Sequence, residues 1–188
     1  MDIEVLLKDS WNIFKDNIVA YIIGTLIVIL GSIFIVTIAP LFYGLAYMAV
    51  RGVKGEKVEI NDVFEGFNHF VKSWIFLIVA GVLLFIGYLL LLIPGIILSI
   101  LLIYALPLLV IRDYSAIDAI KESINLAKAN FTETIVLFII AMVLSSIGGL
   151  IRIGAVLTTP FIMIFYTLGA HGLIGKSPKR TEIAGELE

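Results

Sequence analysis

Residues 18–50 read "IVAYIIGTLIVILGSIFIVTIAPLFYGLAYMAV", and none of the thirty-three carries a charge. A membrane-crossing helix needs about 20 apolar residues. The run is too long for one, and Gly31-Ser32 in its middle, with Pro40 beyond, breaks it into two. Two helices of roughly 15 residues reach only about 23 Å at about 1.5 Å per residue, against a hydrocarbon core of about 30 Å. They either extend into the flanking segments or form a shallow, re-entrant hairpin.

Two longer runs follow the same plan. Residues 73–111 have no charge and break at Gly87 and Pro94-Gly95. Residues 134–175 have one, Arg152, and break at Gly148-Gly149 and Pro160. The reading is an all-α, polytopic membrane protein with six transmembrane helices arranged as three helical hairpins. Composition agrees: 61% of the 188 residues are hydrophobic and 15% charged, with a mean hydropathy of +1.11. Soluble domains carry about 25% charged residues. The opening "MDIEVLLKDSW" has acids where a cleaved leader would be basic.

The cations orient the chain. With three hairpins, twelve of the thirteen Lys and Arg fall on one side and Arg152 alone on the other. Basic residues in short loops favour the cytoplasmic face, so both termini are expected there, in a multi-pass protein of the cell membrane. Residues 1–175 read as one membrane domain with repeats at roughly 1–54, 55–113 and 114–175. Residues 176–188 read as a flexible polar tail.

The repeat shows best in "KDSWNIFKDN" (8–17) and "KESINLAKAN" (121–130), which share Lys, Ser, Asn, Lys and Asn in register. Each is amphipathic at helical spacing. In the first, Ile3, Leu6, Leu7, Trp11, Phe14 and Ile18 form the apolar stripe. In the third, Ile117, Ile120, Ile124 and Phe131 do, after a Ser115–Asp118 cap. A weaker copy, "EGFNHFVKSW" (65–74), turns Val63, Phe67, Val71 and Trp74 inward and places His69 level with Asn12 and Asn125. These segments either lie among the headgroups and anchor the hairpins, or carry a polar ring at a cytoplasmic vestibule. That ring would be Asn12, Lys15, His69, Lys72, Asn125 and Lys128.

Residues 107–131, "PLLVIRDYSAIDAIKESINLAKANF", end an apolar helix at a proline, then give an acid and an Ala-hydrophobic-x-x-Ser helix running to Asn. Pro107, Asp113, Ala119, Ser123 and Asn130 occupy those places. The pattern resembles a bacterial and archaeal family related to the membrane domain attached to some glycerophosphodiester phosphodiesterases. The resemblance implies a six-helix membrane domain; the catalytic unit of those enzymes is a separate soluble barrel.

Glu133, just ahead of the third run, is the one acid expected inside an apolar helix, and intramembrane carboxylates often serve ions or protons. In the first turn of a helix it would also be held by the helix dipole at headgroup level. His171 joins it as a candidate ion, proton or solute site, or as a hydrogen-bonded packing histidine. Arg152 either reaches lipid phosphates or guards an outer pore mouth. With no cysteine, two histidines, and no nucleophile–base pair or ligand spacing, no enzymatic role, metal or other cofactor is expected. Nothing points to nucleic acid. The expected function is a non-enzymatic, oligomeric channel or transporter for a small solute or ion. The alternatives are a scaffold that docks soluble proteins on its cytoplasmic helices, or a lipid-binding membrane protein. Membrane lipids and further copies of the chain are the expected partners.

Overall fold

The computed structural model describes residues 2–150 and 154–174, which are helical with no strand among them. The helices are α1 (Ile3–Asp16), α2 (Ile18–Gly31), α3 (Ile35–Val53), α4 (Glu65–Asn68), α5 (Phe70–Leu90), α6 (Leu92–Leu101), α7 (Ala105–Ile111), α8 (Ala116–Ala129), α9 (Phe131–Leu150) and α10 (Gly154–Ile174). A 3-10 turn, Ile60–Phe64, precedes α4. Arg152 and residues 176–188 lie outside the described residues.

Five spans are long and apolar enough to cross a membrane: α3, α5, α6 with α7, most of α9, and α10. The expected sixth differs. α2 has only 14 residues and meets α1 at 85°, so it qualifies only if the bent pair counts as one span. The bend falls at Asn17, where the amphipathic α1 gives way to an uncharged run.

α1 and α8 match closely. Each has 14 residues and a side-chain N-cap, Asp2 or Ser115. Each buries a serine, Ser10 or Ser123, whose hydroxyl bonds a carbonyl at 2.8 or 2.7 Å. Each ends at an asparagine whose amide bonds the carbonyl four residues back, Asn17 to Ile13 and Asn130 to Leu126. The expected stripes hold in part: Leu6, Phe14 and Ile120 are buried, but Trp11, Ile18, Ile117 and Phe131 are exposed. α8 buries Ala116, Ala119, Ser123, Leu126 and Ala127 beside Ile120. A small-residue face admits the neighbouring backbone closely enough for Ser123 to bond Leu101.

The middle segment is not a third such helix. It breaks into the 3-10 turn, α4 and the start of α5. Phe67 and Val71 are exposed, while His69 and Lys72 are half-buried. The residue that interrupts the chain there is His69, with φ −112° and ψ 31°, close to Asn17 (−123°, 27°) and Asn130 (−128°, 49°). By backbone, His69 corresponds to Asn17 and Asn130, five places from the register that lysine alignment gives.

This segment is clamped along α3. A methyl at Gly44 would collide with the Val63 carbonyl oxygen, and one at Gly66 with that of Pro40. Arg51 closes the clamp on Asp62 at 2.7 Å and Glu56 at 2.9 Å. Among the described residues three apolar clusters form, the smallest joining Ala80, Ala105 and Ile120, and two larger ones make up most of the core. One joins Leu108, Leu126, Leu137, Phe165 and Leu173. The other joins Phe14, Tyr21, Leu45, Met48, Val63 and Ile164.

Candidate functional site

Where α5 begins and α7 gives way to α8, an open cleft of about 660 Å³ forms. Its lining is mixed: His69, Lys72, Asp113, Tyr114 and Ser115 are polar, and Val71, Ile75, Ala116 and Ile117 are apolar. Asp113 sits in the left-handed region at φ 51°, a conformation that aspartate tolerates better than most residues. There it turns the chain between α7 and α8. Ser115 then caps α8, accepting from the Asp118 N–H and donating to the Asp118 carboxylate.

Lys72 donates to Asp113 Oδ1 at 2.5 Å, tying the first turn of α5 to the loop before α8. The Asp113 side chain is 77% exposed and the Lys72 side chain 20%. The hydrogen bond and charge of Lys72 hold the Asp113 carboxyl below its ordinary value, with His69 adding a smaller push the same way. His69 lies 3.8 Å from Glu65 and rests on the ring of Tyr43, 5.0 Å between centroids. Tyr43 is buried in the first core, so the imidazole has a fixed backing.

Of the expected vestibule residues, His69 and Lys72 meet in this cleft. Asn12 and Lys15 stand exposed on α1, and Asn125 and Lys128 exposed on α8; none of the four lines it. Glu133 is half-buried in the first turn of α9, next to Thr134, whose hydroxyl pairs with Tyr104 at 3.2 Å in the interior. His171 is exposed in the last turn of α10, and neither residue borders the cleft. Among the described residues no cluster of His, Asp and Glu is arranged to hold a metal ion.

Sequence reasoning passed over Tyr43 and Tyr114, which carry no motif, and it met Asp113 through family resemblance alone. The signal available was position: each charged residue just outside an apolar run is a candidate partner for one at the neighbouring run. Lys72 and Asp113 flank the same run.

A family model described as "Domain of unknown function (DUF7847)" matches residues 3–179. No curated protein and no solved structure matches the chain.

Proposed function

The chain belongs to the DUF7847 family, and on that premise we propose a non-enzymatic, multi-pass membrane protein that holds a phospholipid headgroup in the cleft between α5 and α8. The observation that carries this reading is the make-up of the cleft. The Lys72–Asp113 pair and His69 sit directly against Val71, Ile75 and Ile117, apolar side chains that stay exposed. A phospholipid presents the matching succession of surfaces, charged head first and then acyl chain. The cleft also lies at the ends of apolar spans, a position that this reading assigns to the headgroup level. The cation distribution supports assigning that face, with both termini, to the cytoplasm. The six-helix membrane domain implied by the resemblance of residues 107–131, read as three hairpins from the apolar runs and cations, is compatible with the same placement.

The test is lipid add-back to the purified, delipidated chain in detergent. Binding to the folded form alone raises stability with ligand concentration. The reading expects a saturable rise in unfolding midpoint that is lost when His69→Ala and Lys72→Gln are combined. A flat response, or a double variant that responds as the parent does, overturns it.

A second reading, transport of a small solute or ion by an oligomer, draws on Glu133 beside the buried Tyr104–Thr134 pair. Buried hydroxyls such as Ser10 and Thr167 bond carbonyls of their own helices, so a conducting path would run between copies. Flux into proteoliposomes that Glu133→Gln abolishes favours this reading; tight vesicles count against it.

A further inference from the structure

We infer that the headgroup taken by this cleft is zwitterionic, a phosphodiester bearing an ammonium group, with its phosphate on Lys72 and His69 and its ammonium on Asp113. The inference rests on the lipid reading above and narrows it. The charged and imidazole groups of the lining are one cation, one carboxylate and one imidazole. Lys72 is already matched by Asp113. An anionic headgroup would meet a neutralised lysine and an exposed, repelling carboxylate. A zwitterion can replace the single Lys72–Asp113 bond with two charge-assisted bonds of its own, phosphate to lysine and ammonium to aspartate. His69 lines the cleft with Lys72, and its Nε2 stands 3.8 Å from the Glu65 carboxylate, so a charge on the imidazole would be balanced by Glu65.

The choice of a lipid over a free phosphodiester comes from what continues out of the cleft. Val71, Ile75 and Ile78 follow one another along exposed α5 at 69, 46 and 56% exposure, and Ile117 faces out from α8 at 52%. Spaced three or four apart, the α5 residues make one apolar track on the helix surface.

The experiment is native mass spectrometry of the full-length, delipidated chain offered equal amounts of phosphatidylethanolamine and phosphatidylglycerol with identical acyl chains. The parent should retain the ethanolamine lipid about ten-fold better, the worth of one charge-assisted contact. Asp113→Asn should remove the preference while total lipid binding persists; Asp113→Glu should keep it. Lys72→Gln should weaken both lipids. Equal or better retention of phosphatidylglycerol by the parent overturns the zwitterionic assignment and leaves the lipid reading standing. Retention of neither lipid overturns the lipid reading itself. Glycerophosphoethanolamine, the headgroup without chains, should fail to compete at equal concentration; full competition would make the ligand a soluble phosphodiester and overturn the proposal. Because the parent's selectivity is read directly, an Asp113→Asn chain that fails to fold does not shield the proposal.

Discussion

The indole nitrogen of Trp74 donates to the Val36 carbonyl at 3.1 Å, supplying the hydrogen bond that Pro40 cannot. Pro40 lies inside α3 and has no N–H to offer the carbonyl four residues earlier. A carbonyl in that state would be costly in an apolar setting. Trp74→Phe is therefore expected to destabilise the chain by about 1–2 kcal/mol. In the Pro40→Ala background the same change should cost much less, because alanine restores the helical N–H donor. Reversible unfolding in mixed micelles measures the cycle, and equal costs in both backgrounds would dismiss the coupling.

Gly44 and Gly66 admit no side chain. Alanine at either should cost about 3 kcal/mol, at the upper end for overpacking, because the obstructing atoms are backbone carbonyls of Val63 and Pro40. Gly81 and Gly172 have nothing within 4 Å of an added methyl. Alanine there should be neutral or gain up to about 1 kcal/mol of helix propensity. Thermal unfolding in detergent separates the two pairs.

Asp113 sets a pH dependence. Its carboxyl titrates below the ordinary value of 3.8 because Lys72 favours the charged form. A lowered folded-state value means that the pair's contribution is present above 3.8 and is lost as pH falls through the lower, folded value. Lys72→Gln should move the titration up towards 3.8. Carbodiimide labelling of Asp113 against pH reads this directly, and an unmoved midpoint would remove Lys72 as the cause.

The chain has no cysteine, so single cysteines report sidedness cleanly. Cysteines introduced in place of Lys54 and Lys121 should both react with an impermeant maleimide from the cytoplasmic side of sealed vesicles. Reaction from opposite sides would refute the hairpin arrangement.

Membrane character and most span positions were legible, because uncharged runs longer than about 20 residues admit few other readings. α1 and α8 do share a length, a buried serine and a closing asparagine, although Ser10 bonds its own helix at Leu6 and Ser123 reaches across to Leu101. Which side of each helix is buried was legible only in part: Leu6, Phe14 and Ile120 of the expected stripes are buried, whereas the small-residue face of α8 was not foreseen. Against lipid, apolar character no longer separates inside from outside. Val71, Phe67 and Ile117 thus face out, while Ala119, Ser123 and Ala127 fill the contact. The cleft escaped notice for a related reason: Lys72 and Asp113 are 41 residues apart and meet because the intervening run returns to its starting level.

The clamp of residues 60–68 along α3 gives one wall of the cleft a close-packed backing. His69 follows directly from that segment and leans on Tyr43 of the same helix that the segment grips. The opposite wall hangs on Arg112 to Ser115, a connection of four residues between α7 and α8. One side of the cleft is thus backed by a packed segment, and the other is held across to it by the Lys72–Asp113 bond.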